Sequence, residues 1–149
     1  MILVGGLTVS RKLNCYGTPE GRKPGEKLGR KKMNQRKTGT AYEKIAADYI
    51  RKQGIHILEK NYRISQGEVD LIGEDKEYVI FFEVKYRKTA SYGYPWEAVS
   101  SSKRRKICTV AGQYCYSKRI KKQVRYDVIS ICGDEILWFR DAFEHVGRW

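Results

Sequence analysis

The apolar positions along the chain change period several times, and each change marks an element. Over residues 37–53 the spacing is helical: Ala41, Ile45 and Tyr49 recur at four-residue steps, with Tyr42, Ala46 and Ile50 beside them in one stripe. Thr38 is placed to cap the start of this helix and Gly54 to end it. Glu43 lies beside the stripe, at the edge of the face that meets a core. Extended runs follow at 55–62, 68–72 and 78–87, with 73–77 as a hairpin loop between the last two. Residues 78–82 are continuously apolar, as in a strand covered on both faces. A Gly/Tyr/Pro loop at 91–95 precedes a second helix that runs from Ser102, or from as early as Trp96, to Ser117. Its stripe is Ile107, Val110, Ala111, Tyr114 and Cys115. Strands at 124–131 and 136–139, joined by a Gly133-Asp134-Glu135 turn, complete the order α-β-β-β-α-β-β. The pattern predicts an α/β fold with a mixed sheet flanked by helices.

Residues 1–33 carry no such period after Val9. They hold six glycines, two of the three prolines, eight Lys/Arg and two Asp/Glu, a net +6. The segment reads as a flexible basic tail ahead of a folded domain at 34–149. An alternative is that Met33 is the true start of translation.

Charge narrows the partners. Thirty Lys and Arg against seventeen Asp and Glu leave +13 over 149 residues, and the part after the tail still carries +7. Such a balance favours polyanions. No stretch approaches the ~20 apolar residues of a membrane span, and in the apolar opening MILVGGLTV the cations follow rather than precede, the reverse of a secretory signal. The four cysteines (Cys15, Cys108, Cys115, Cys132) form no C-x-x-C pair and only His56 and His145 are present, which disfavours zinc sites and His-based hydrolysis. Reduced thiols in a cytoplasmic protein fit best.

Two acidic motifs stand on adjacent strands. In Gly67-Glu68-Val69-Asp70-Leu71-Ile72, alternation places Glu68 and Asp70 on one face and Val69 and Leu71 on the other. In Phe82-Glu83-Val84-Lys85-Tyr86-Arg87 it groups Glu83, Lys85 and Arg87. Charges at the end of a buried apolar strand are costly without partners, and a divalent cation between Asp70 and Glu83 would offset that cost. Carboxylate oxygens suit Mg2+ or Mn2+, and a lysine beside them can orient or deprotonate water and balance charge on a phosphate in hydrolysis. A salt-bridge cluster is the alternative for these three residues. Glu68 is either an outer ligand or a turn cap, and Glu43 either an outer ligand or a solvated helix residue. Asp127, in Arg125-Tyr126-Asp127, reads as the structural partner of a basic neighbour.

The D…E-x-K spacing resembles the PD-(D/E)xK nuclease superfamily of restriction endonucleases and Holliday-junction resolvases, although Val69 rather than proline precedes Asp70. More closely, the chain from about Asn34 onward resembles the YraN-like family of bacterial proteins. The likeness lies in Gly39-Thr40-Ala41-Tyr42-Glu43, Asn61-Tyr62-Arg63, Gly67 to Ile72, Phe82 to Arg87 and Arg125-Tyr126-Asp127-Val128. It implies a restriction endonuclease-like fold with Asp70, Glu83 and Lys85 at the catalytic positions. It also implies Glu43 in the outer shell of the metal, for which the residues themselves suggest Mg2+ (or Mn2+) as the cofactor and Glu68 as a further candidate ligand.

Lys103, Arg104, Arg105 and Lys106 crowd the start of the second helix, where cations oppose the helix dipole unless an anion binds, and with Arg87 they are the candidate nucleic-acid contacts. Tyr92, Tyr94 and Trp96 can stack on bases or pack on the core. The function expected is Mg2+-dependent endonucleolytic hydrolysis of DNA, including branched or repair intermediates. A non-catalytic nucleic-acid-binding module that keeps the fold is the alternative, and an RNA-processing nuclease a third reading. The partners expected are nucleic acid, DNA ahead of RNA, and no membrane; a homodimer is compatible with the chain.

Overall fold

The structure, a computed structural model, describes residues 35–87 and 99–147. The basic tail and the aromatic loop of Tyr92, Tyr94 and Trp96 lie outside that range. Among the described residues two helices and five strands follow in the order α1 (Gln35–Lys52), β1 (His56–Ile64), β2 (Gly67–Glu74), β3 (Tyr78–Tyr86), α2 (Ser101–Lys118), β4 (Gln123–Cys132) and β5 (Glu135–Phe139). The strands form one sheet in chain order, antiparallel except for the parallel β3–β4 pair that α2 connects. The expected order α-β-β-β-α-β-β and mixed sheet are both present.

Sheet pleat divides the core in two. Val79 and Phe81 of β3 join Ile72, Tyr126 and Val128 under α2, which buries Ile107, Val110, Ala111 and Tyr114. The intervening Ile80 and Phe82 join Leu71, Ile129 and Ile131 under α1, which buries Ala46, Ala47 and Ile50. Strand β3 is thus covered on both faces, which accounts for its unbroken apolar run. On α1 the buried stripe is rotated from the expected one: Ile45 is 44% exposed, and the half-buried Glu43, its Oε2 enclosed, lies on the side of Ala46, Ala47 and Ile50. Tyr42 and Tyr49 flank that side at its edges, so the apolar pattern alone fits two neighbouring stripes.

Helix α1 is already formed at Gln35, so Thr38 lies inside it rather than capping it. Its end is as expected. Gly54 takes φ +87, and the Ile55 N–H donates back to Ile50 O at 3.2 Å, a left-handed closure. The β2–β3 turn is held by Asp75, whose Oδ1 accepts the Glu77 and Tyr78 N–H groups at 2.9 and 2.8 Å. Among the described residues no helix is long and apolar enough to cross a membrane.

The expected alternation on β2 fails at one point. Val69 packs under α2 while Leu71 packs under α1, so the two do not share a face. The reason is a change of partner. Pairing of β2 with β3 runs only from Glu74 back to Leu71, opposite Phe82, whereas its pairing with β1 continues to Gly67. Beyond Leu71 the strand leaves β3 and follows β1, and Asp70 sits at the parting.

Candidate active site

Where β2 and β3 separate, the Asp70 side chain occupies the opening and its Oδ2 accepts the Val84 N–H at 2.8 Å. Glu83, on β3 beside it, is only 3% exposed. Two lysines reach it from different elements: Lys85 Nζ stands 2.8 Å from Oε1 and Lys103 Nζ, from α2, 3.1 Å from Oε2. The second contact is an ion pair without hydrogen-bond alignment, so Glu83 Oε2 is a buried oxygen lacking a hydrogen bond. Glu43 brings a second such oxygen, Oε2, from α1.

Electrostatics bind these groups into one site. Burial pushes the Asp70 carboxyl up to about 7, helped by the charges of Glu83 and Glu43 and resisted by the Val84 N–H and Lys103. Two buried carboxylate oxygens without a hydrogen bond, Glu83 Oε2 and Glu43 Oε2, and a hard-oxygen donor set fit Mg2+ or Mn2+. The described residues contain no group of three Asp, Glu, His or Cys side chains converging on one point. The fit is therefore to a two-carboxylate site completed by waters and substrate oxygens, as Mg2+ ordinarily accepts.

The remaining sequence candidates are dispersed. Glu68 is exposed and ion-paired with Arg63, its neighbour across β1 and β2. Arg87 directly follows β3, its N–H donating to Ile131 O at 2.8 Å and its side chain partly buried. The Lys103–Lys106 run does not act as one patch, because successive helical residues are rotated by about 100°. Lys103 turns inward to Glu83, while Arg104 donates to Val99 O at 2.8 Å and lies 5.6 Å from the Phe143 ring centroid. Arg105 and Lys106 remain exposed. Asp127 is the structural residue expected: fully buried, it accepts from Arg125, Trp138 Nε1 and the Asp141 N–H, each at 2.9 Å.

Sequence reasoning missed two features. Lys103 as a second lysine on Glu83 was accessible from helix phase, since it falls on the side of Ile107, Val110 and Tyr114. The stack of Tyr42 on Tyr86, with centroids 3.9 Å apart beside Glu43 and Lys85, pairs α1 with the end of β3 and had no local signal.

Family comparison decides the affiliation. The model of the uncharacterised protein family UPF0102 matches residues 42–131, a span containing Asp70, Glu83, Lys85 and Lys103. The chain belongs to the UPF0102 family. UPF0102, the YraN-like family, is represented by a Fusobacterium nucleatum protein 41% identical over 110 residues, covering 73% of this chain and 92% of that one. A Lachnoclostridium phytofermentans member is 36% identical over 117 residues, 77% of this chain and 99% of its own. One from Clostridioides difficile is 42% identical over 100 residues, 66% and 88% respectively.

Proposed function

We propose that this UPF0102 protein is a metal-dependent nuclease that hydrolyses phosphodiester bonds in DNA. Asp70 and Glu83 are its ligands for Mg2+ or Mn2+, and Lys85 is its catalytic lysine. The observation that carries the reading is the apposition of two carboxylates at the parting of β2 and β3: the half-buried Asp70, whose carboxyl is pushed up to about 7, and the buried Glu83, with an oxygen lacking a hydrogen bond. A structural salt-bridge cluster gains little from Asp70, which among the described residues makes no ion pair and feels Lys103 only at longer range. The resemblance of the D…E-x-K spacing to the PD-(D/E)xK superfamily and the +13 charge point the same way.

When bound, the ion supplies Lewis-acid polarisation of a phosphoryl oxygen and a water made nucleophilic at neutral pH. The protein's own groups do the rest. The Val84 N–H fixes the Asp70 carboxylate, and Glu83 holds Lys85 Nζ at 2.8 Å. From there the ammonium orients the attacking water and offsets the charge that grows on the phosphate oxygens. Glu43 adds negative charge behind Asp70 and strengthens the site's demand for a cation.

The test is incubation of the purified chain with single-stranded, duplex, flapped and four-way DNA, and with RNA, in Mg2+, Mn2+ or EDTA. Metal-dependent cleavage of DNA that disappears in Lys85→Ala is expected. Binding indifferent to metal, with no cleavage of any substrate, would replace this reading by a non-catalytic nucleic-acid module.

A further inference from the structure

The hairpin between β1 and β2 ends in Ser65-Gln66-Gly67 and rests against the first turns of α2. Glycine permits the approach: a Cβ on Gly67 would stand 3.1 Å from Lys106 Cβ and 3.4 Å from Val110 Cγ2. Between turn and helix lies an open cleft of about 460 Å3, walled by Arg63, Ser65, Gln66, Lys103 and Lys106. Its one carboxylate, Glu68, is ion-paired with Arg63. Three cations against one anion leave the cleft positive. Its volume is that of a small-ligand pocket, roughly 300–1,000 Å3.

A second observation also calls for an anion. The first turn of α2 contains no acidic residue, and its opening, Ser101–Lys106, carries Lys103, Arg104, Arg105 and Lys106. Cations at this end oppose the helix dipole, and negative charge in the cleft that Lys103 and Lys106 line offsets that opposition. The deficit of acid is regional: residues 98–126 hold nine Lys/Arg and no Asp/Glu. Lys103 joins the cleft to the carboxylates, lining the one and standing 3.1 Å from Glu83 Oε2 in the other.

We propose that this cleft seats a backbone phosphate of the bound nucleic-acid strand, next to the phosphodiester held at Asp70 and Glu83. Lys106 and Lys103 supply charge, and the Gln66 amide N–H2, with its Oε1 accepting from the Ser65 hydroxyl at 2.8 Å, supplies a hydrogen-bond donor. The inference rests on the nuclease reading for its neighbour but not for its own test.

That test is fluorescence anisotropy of the full chain with a labelled single strand and the matching duplex, in EDTA so that nothing is cut, across a KCl series. Lys106 and Gln66 are exposed, so Lys106→Ala and Gln66→Glu should keep the wild-type melting temperature. Each is expected to weaken binding severalfold. Lys106→Ala should also reduce the slope of log K against log salt by about 1, the signature of one lost phosphate contact. Lys121→Ala, exposed beyond the far end of α2, removes the same charge and should change affinity far less. Equal losses in Lys106→Ala and Lys121→Ala, or an unchanged slope in Lys106→Ala, would overturn the site. Displacement of the oligonucleotide by sub-millimolar inorganic phosphate would assign the cleft to a free anion and overturn it too. Cleft-dependent binding without cleavage in Mn2+ would sustain the cleft while sinking the nuclease reading, and absence of binding in the wild type would sink both.

Discussion

The Asp70 carboxylate accepts the Val84 backbone N–H at 2.8 Å, across the point where β2 and β3 cease to pair. A side chain thereby stands in for the next rung of the ladder, and the sheet end opens around it. The same position brings Asp70 under the charges of Glu83 and Glu43.

The metal-free protein should therefore lose stability as pH rises. The folded Asp70 carboxyl titrates at about 7, above its ordinary 3.8. A raised carboxyl contributes stability in full below the unfolded value and loses it as pH climbs through the folded one. In EDTA, wild-type melting temperature should fall from pH 5 to pH 8 by more than that of Asp70→Asn. Parallel curves for the two proteins would show that Asp70 titrates normally.

Lys103 competes with a metal for Glu83. Lys103→Met removes a cation 3.1 Å from Glu83 Oε2 and leaves Lys85 on Oε1. Mn2+ binding measured by calorimetry should tighten severalfold. Weaker binding would mean that Lys103 positions Glu83 for the ion rather than standing in its place.

Arg104 serves the fold and not the ligand. Its bond to Val99 O and its place near the Phe143 ring make Arg104→Ala destabilising by about 1–2 kcal/mol. The salt slope of nucleic-acid binding should stay at the wild-type value, read from the same anisotropy series. A slope reduced by about 1 would place Arg104 on phosphate after all.

Two glycines should answer to alanine with opposite signs. At Gly112, within α2, an added Cβ meets nothing within 4 Å, so Gly112→Ala should stabilise by about 1 kcal/mol. At Gly73 it would stand 2.7 Å from Ile55 Cγ2 and 3.1 Å from His56 O. Gly73→Ala should lower the melting temperature.

What the sequence showed depended on how local the cause was. The apolar run of β3, the stripe of α2 and the Gly54 stop follow from neighbours in the chain, and all are legible. The phase of α1 is less so, because Ala41, Tyr42, Ile45, Ala46, Tyr49 and Ile50 fit two adjacent faces and only the sheet chooses between them. The bend at Asp70 arises from β2 exchanging one partner strand for another, which no period within β2 records. Helix phase already separated Lys103 from Arg104 and Arg105, whereas run-counting treated four cations as one patch.

Mn2+ calorimetry on wild type, Asp70→Asn and Glu83→Gln, with melting temperatures to confirm that each is folded, tests the central claim most directly. The account predicts one Mn2+ per wild-type chain and none at the same concentrations in either variant. Wild-type affinity in a folded Asp70→Asn would contradict the metal site and leave Asp70, Glu83, Lys85 and Lys103 as a structural charge cluster.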